Sequence, residues 1–478
     1  MPTIQAAAGL GLLLLAPLNS TLFLEAPCLS QNFLGHYRNG ETTSSLFRLE
    51  TPDCVQVASN SYLSQEPNAL LAAPSSEKRL VWIEHESVDP SLLRSTHQGP
   101  LLDDVLDALS ARNRDETQQT LSTTESPASP ILYRTDTSVL VALPSEEVFT
   151  IDTRLPRFWK STIVPESPSA YRVVSDDSVE RVRRVLSELK FSPAVASVVN
   201  NISIPHIQND IRFLTGEDGQ SGIVSRHSFS PGARTAANWI KNRIEETGAK
   251  CRLENFRLGF APNVICRYAS IVDSNDTIIL SGHYDSRGSF GSVRAPGGND
   301  DGSGTTGILS IARTIARKRI RFHTNLELVT FAGEEQGLVG SDAYARQLRA
   351  QDASIVLMIQ ADMTAYRAPD EPLQLGLPER IGTPEVTALV GNISALYSPE
   401  LTVGYSSACC SDHQSFITQG FPASQVFERA GPIADPMYHN SGDLSERVGY
   451  DVNQLYAIAK VQFATALHVA GFEIADSE

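Results

Sequence analysis

The chain has 478 residues, of which 41% are hydrophobic, and a formal net charge of −16. That length is too great for one ordinary core and that apolar content too high for a disordered chain, so two globular units are expected. The negative charge, without any run of Lys and Arg to form a phosphate-binding stripe, argues against nucleic acid as a partner.

Ala6 to Leu15 is an apolar run too short to span a bilayer and long enough for the core of a secretory signal. It lacks a basic flank, and a buried helix or strand is the alternative reading. Residues 1–24 are expected to be a signal peptide, and no other segment approaches a membrane span. From about residue 25 to 150, short β-like runs such as Arg79 to Ile83 and Ser138 to Leu143 alternate with turn-rich stretches and one amphipathic segment, Leu101 to Leu109. Asn113 to Pro130, rich in Thr, Ser, Glu and Pro, reads as a mobile loop or linker. A second Pro- and Ser-rich stretch, Val164 to Ala170, precedes a helix expected from Asp177 to Leu189. The boundary falls there, giving a smaller α+β N-terminal domain over 25–175, a propeptide or accessory domain, and a larger one over 176–478.

Beyond residue 175, helices alternate with apolar strands, the pattern of an α/β fold with a mostly parallel mixed sheet between helices. Ser230 and Pro231 open a helical period that runs to Glu246, with Trp239, Ile240 and Ile244 on its apolar side. Strands are expected at Thr277 to Leu280, Leu326 to Phe331 and Ile355 to Ile359, and each runs directly into acidic or imidazole residues. Ligands of open α/β sheets bind beyond the carboxyl ends of the strands.

Five motifs follow. In Ser281-Gly282-His283-Tyr284-Asp285, Asp285 can orient the imidazole of His283, as the outer partner of a metal-bound histidine does. Gly297-Gly298-Asn299-Asp300-Asp301-Gly302-Ser303-Gly304 presents two adjacent acids before a helical run, Thr305 to Ile315, and acids ionised together need positive charge nearby. Phe331-Ala332-Gly333-Glu334-Glu335-Gln336-Gly337 gives one glutamate that can bind metal and one that can face its water as a base. Gln360-Ala361-Asp362-Met363 closes an apolar strand with a carboxylate that is costly to bury alone. Tyr438-His439-Asn440-Ser441-Gly442-Asp443 adds a histidine in a turn. Alone, each could be a capped turn or a solvated loop. Together, two histidines and three carboxylates suit a pair of zinc ions that activate water for hydrolysis.

In this order and over about residues 180 to 470, these motifs resemble those of the bacterial leucyl aminopeptidase type exopeptidases, family twenty-eight of the metallopeptidases. The resemblance implies a secreted aminopeptidase with the zinc-exopeptidase (phosphorylase/hydrolase-like) fold and two Zn2+ per chain. By motif position, His283 and Asp362 would hold one zinc, Glu335 and His439 the other, and Asp300 would bridge them. Glu334 would be the base, Asp285 the orienting partner, and Asp301 would lie outside the ligand set. The residues themselves do not separate Asp300 from Asp301, or Glu334 from Glu335.

Secretion is also suggested by Cys28 with Cys54 and Cys251 with Cys266, spaced for local disulfides, and by Asn-X-Ser/Thr sites at Asn19, Asn201, Asn275 and Asn392. Near Ser411-Asp412-His413, secreted family members often carry a short-loop disulfide; here Cys410 has Ser406 where its partner would stand, and Cys409 is adjacent to it. His413 reads as structural. The expected partners are peptide substrates with a free N-terminus, and the chain is expected to be a monomer. The rivals are a glutaminyl-peptide cyclase, a carboxypeptidase or dipeptidase using Arg287 and Arg294 as a carboxylate clamp, and an inactive binding module.

Overall fold

The computed structural model describes residues 11–475 apart from 19–22, 24–25, 52, 57–68, 76, 96–101, 111–130, 290–291 and 409. The expected linker over Asn113 to Pro130 lies outside the described residues. The chain folds as two compact units, Met1–Glu86 with Gln98–Val173 and Ser87–His97 with Val174–Glu478.

In the first unit, β1 (Leu12–Pro17), β2 (Phe33–Asn39), β3 (Thr42–Leu49) and β4 (Ala69–Ala72) form an antiparallel sheet in the order β2-β3-β1-β4. A second antiparallel sheet, from β5 (Lys78–His85), β6 (Ile131–Arg134), β7 (Ser138–Pro144) and β8 (Trp159–Ile163), has the order β6-β7-β5-β8. Counted within each sheet, the two orders are the same. Each sheet also has a helix after its first strand, α1 (Pro27–Gln31) or α2 (Leu102–Ser110), and a helical turn after its third, at Asp53–Gln56 or α3 (Ser145–Val148). The unit is thus two copies of the ferredoxin-like β-α-β-β-α-β arrangement.

Side chains that alternate along a strand explain the layers. Leu13 and Leu15 of β1 join Leu80, Trp82 and Leu140 in a core shared by the two sheets. Leu14 and Ala16 join Leu29, Phe33 and Phe47 on the helical side of the first sheet, where the Cys28–Cys54 disulfide ties α1 to the turn at Asp53–Gln56. Val81, Ile83, Val139 and Val141 do the same beneath α2. The N-terminal apolar run offered as a leader core is here a buried inner strand, and losing residues 1–24 would take β1 out of its sheet.

His36, on β2, is buried among aromatic rings at centroid distances of 4.6 Å (Phe33), 5.5 Å (Tyr171) and 5.7 Å (Phe23). Burial pushes its imidazole from 6.5 down to about 3. Between those values the unfolded chain binds the proton and the folded chain does not, so stability is expected to fall as the pH drops from 6.5 towards 3. Urea melts of wild type and His36→Phe at pH 4 to 7 read this directly. The variant should have a flatter acid slope, and an unchanged slope would place the acid sensitivity elsewhere.

The second unit centres on β9 (Lys250–Glu254), β10 (Asn263–Tyr268), β11 (Asp276–His283), β13 (Asn325–Phe331), β14 (Ser354–Ala361) and β17 (Ala423–Val426), in the order β17-β14-β11-β13-β10-β9. β11 runs parallel to β13 and β14, and β14 to β17, while β10 is antiparallel to β13 and β9. Two short pairs lie apart: β12 (Ile320–Phe322) with β18 (Phe472–Ile474), and β15 (Gln374–Pro378) with β16 (Thr402–Ser406). The Cys251–Cys266 disulfide links β9 and β10.

Besides a short helix at Pro90–Ser95, its described helices are α4 (Asp176–Glu188), α5 (Pro193–Val199), α6 (Ile204–Thr215), α7 (Pro231–Glu245), α8 (Gly302–Lys318), α9 (Val339–Ala350), α10 (Pro384–Tyr397), α11 (His413–Thr418) and α12 (Val452–Ala470). Ser175 and Ser230 accept hydrogen bonds from the third residue beyond them, which starts α4 and α7 within a residue of where the sequence places them. Ile278 and Leu280 of β11 share a core with residues of α7, α8 and α12, while Ile279 shares one with Tyr344 and Leu348 of α9 and Phe416 of α11. Helices on both faces require both faces of the strands to be apolar, and this produces their unbroken hydrophobic runs.

Ser87–His97 belongs to this unit although its neighbours in sequence do not. The Asp89 amide donates to Ile433 O (2.7 Å) and the Ile433 amide to Ser87 O (2.7 Å), while Arg429 pairs with Asp89 at 3.0 Å and Glu371 at 2.6 Å. No described helix is long and apolar enough to cross a membrane.

Candidate metal centre

Because β14, β11 and β13 are parallel neighbours, their carboxyl ends lie side by side. β11 ends at His283, β13 runs into Glu334 and Glu335, and β14 into Asp362. The turn before α8 brings in Asp300. Gly282 and Gly304 let strand and helix approach closely enough for this: a Cβ at Gly304 would stand 2.3 Å from Ala361 O, and one at Gly282 2.9 Å from Gly304 C.

The five acids and imidazoles expected to hold metal converge in two groups, His283–Asp300–Asp362 and Asp300–Glu335–His439, which share Asp300. One Asp300 oxygen is 3.2 Å from His283 Nε2 and the other 3.2 Å from His439 Nε2. Asp362 lies 3.7 Å from His283 Nε2, and Glu335 2.9 Å from His439 Nε2. Asp301, the adjacent acid, turns away. It accepts from the backbone amides of His283 (3.0 Å), Gly304 (2.8 Å) and Met363 (3.1 Å), capping α8 and tying three segments together.

Asp285 stands behind His283, 3.4 Å from Nδ1, with its backbone oxygen 3.2 Å from the same nitrogen. Its carboxylate also accepts from the amides of Glu334 (3.4 Å) and Glu335 (3.2 Å) and from Ser228 Oγ (2.9 Å), and Ser228 Oγ in turn accepts from Gly333 N (2.9 Å). Glu334 is buried beside Glu335.

Burial alone would depress both histidines. For His283 the carboxylates of Asp285, Asp300 and Asp362 outweigh it and hold the imidazole well above its usual value, and for His439 Glu335 and Asp300 raise it to about 9. Burial would raise Asp300 too, but the two imidazoles pull it far below the usual carboxylate range. Glu335 is raised by burial. Carboxylates this close stay ionised together only with positive charge among them, which the imidazoles in protonated form or a metal ion can supply. A further observation fits a divalent pair: His283 Nε2 and both Glu335 oxygens are buried without a directed hydrogen bond among the described residues, though they face opposite charge. Nitrogen and carboxylate donors in this combination suit zinc.

Ser228 and Arg226 have no counterpart in the sequence reading. Arg226 is fully buried and its guanidinium donates to the carbonyls of Tyr284 (2.7 Å), Leu214 (3.0 Å), Gly297 (2.7 Å) and Pro296, so one side chain pins the segments that carry His283 and Asp300. The signal available was only a Ser-rich stretch before a helix. His413 is buried with Nε2 2.9 Å from Ile381 O, as a structural residue would be. Arg287 is buried with Nη1 3.0 Å from His439 Nδ1, whereas Arg294 is exposed. Cys410 is disulfide-bonded, and Ser406 Oγ donates to Gly431 O at 2.7 Å.

Residues 263–464, which include every ligand candidate, match the family model described as Peptidase family M28. This stretch is similar to peptidase family M28. The chain is similar to a probable leucine aminopeptidase of Arthroderma otae, 29% identical over 283 residues, 56% of this chain and 73% of that one. A probable leucine aminopeptidase of Trichophyton verrucosum is 30% identical over 253 residues, 50% of this chain and 65% of the relative. Among solved structures, the Legionella pneumophila LapA aminopeptidase aligns with a TM-score of 0.57 at 17% identity, over 82% of this chain and 98% of its own. LapB from the same organism gives 0.57 at 16%, over 83% and 100%. These alignments span more than the second unit alone could supply, so the likeness of fold reaches into the first unit.

Proposed function

We propose that this chain is an aminopeptidase that removes N-terminal residues from peptides by metal-assisted hydrolysis, with a pair of zinc ions held by His283, Asp300, Glu335, Asp362 and His439. The observation that carries the reading is the sharing of Asp300 by two ligand groups, each with one imidazole and a second carboxylate. When bound, the ions would supply Lewis acidity for the scissile carbonyl and lower the pKa of the attacking water.

The chain's own residues do the rest. Glu334, buried beside the ligands, takes the proton of the attacking water and returns it to the leaving amine. Asp285 fixes the ring of His283 from behind and, through the amides of Glu334 and Glu335, sets base and ligand relative to each other. The Cys28–Cys54 and Cys251–Cys266 disulfides support action in an oxidising, extracellular setting.

The test is a zinc-loaded sample offered one peptide series with free and with acetylated N-termini. Stepwise release from the free series alone, lost with a chelator and restored by zinc, is expected. Equal cleavage of blocked peptides, or only cyclisation of N-terminal glutamine, would overturn the proposal.

A further inference from the structure

We infer that Asp443 and Arg447 are a positioning pair that presets the second metal position, by locking the loop carrying His439 to the turn carrying Asp300. The inference rests on the two-metal reading above.

Asp443 lies four residues after His439 and reaches back to the turn before α8. Its carboxylate accepts from the amides of Asn299 (3.0 Å) and Asp300 (3.0 Å), and its carbonyl accepts from Gly298 N at 2.7 Å. Arg447, four residues further on, donates to Asp443 at 2.9 Å and to Asp435. Asp435 closes the circuit by accepting from the side-chain amide of Asn299 at 2.9 Å, and the other face of that amide accepts from Ala365 N at 3.0 Å. All four side chains of this ring are buried or nearly so. A buried charge-assisted ring of this kind is rigid, because breaking any member strands another.

The ring touches the metal centre on one side only. Asp300 and His439 are each covalently part of the locked pieces, so the distance between them is fixed. His283 is held by other means, Asp285 and a bond from Thr305 Oγ1 to its carbonyl (2.7 Å), and Asp362 by its amide on Val426 O (3.2 Å). Asp300 serves both groups, so a defect in the ring should weaken the Asp300–Glu335–His439 position, where it loosens two donors, more than His283–Asp300–Asp362, where it loosens one. Neither Asp443 nor Arg447 belongs to either ligand group.

Stepwise cobalt(II) and zinc titrations of the metal-free full chain, followed calorimetrically and by the cobalt absorption spectrum, read the two positions separately. Arg447→Met and Asp443→Asn are expected to weaken the second ion about 10- to 100-fold, and the first by clearly less. Arg447→Lys should recover part of the loss, and it gives the same reading if Arg447→Met does not fold. Both ions bound as in wild type, or both weakened equally, would overturn the inference. A wild type that takes up only one ion would instead refute the two-metal reading.

Discussion

Glu334→Gln is expected to lower kcat by about 10²- to 10⁴-fold while the chain still binds its full metal complement. Glutamine keeps the size of the side chain and loses only the ability to take and return a proton. Glu334 is buried beside Glu335 but is absent from both ligand groups, so its replacement leaves every donor in place. Metal analysis and steady-state rates on one preparation decide the matter. Near-normal turnover would remove Glu334 from the base role, and a loss of metal would make it a ligand instead.

The adjacent acids of the Gly297–Gly304 turn should separate just as cleanly. Asp300→Ala removes the one carboxylate shared by both groups, so bound zinc is expected to fall from about two per chain to well below one, with activity lost in proportion. Asp301→Ala removes the cap of α8 and the acceptor for three backbone amides, so its first effect should be a lower melting temperature, with about 1 kcal/mol from the cap alone. Metal content after dialysis and thermal melts on the two variants are the measurements. If Asp301→Ala were the variant that lost both ions at an unchanged melting temperature, the assignment would be reversed.

The centre of the second unit was legible because physics writes it locally. A strand buried on both faces must be apolar throughout, so β11, β13 and β14 stand out, and the acids at their ends mark where the sheet stops. That an acid ends a strand says nothing of which neighbour turns inward. Asp300 and Asp301 are distinguished only by what lies behind them, the amides of His283, Gly304 and Met363, two of which are distant in sequence. Ser228 and Arg226 escaped for the same reason: their partners at Asp285, Gly333 and Gly297 are more than 50 residues away, and no local pattern records them.

The first unit was harder. Leu12–Leu15 has the composition of a leader core, and its pairing with β3 and β4 is not written in that composition. The repeated strand order of the two sheets is invisible in sequence because the copies share topology rather than residues.

The excursion at Ser87–His97 has a practical consequence for anyone dividing the gene. A fragment beginning at Val174 would look like the complete second unit, yet it would lack Ser87–His97, which cluster with it. Its seam would open at Ile433, whose amide and carbonyl would both turn to water, and Arg429 would be left with Glu371 as its remaining carboxylate. Ile433 lies six residues before His439, so the flaw sits at the root of the segment that delivers an imidazole to the centre. Supplying the missing stretch as a synthetic peptide would be the direct repair.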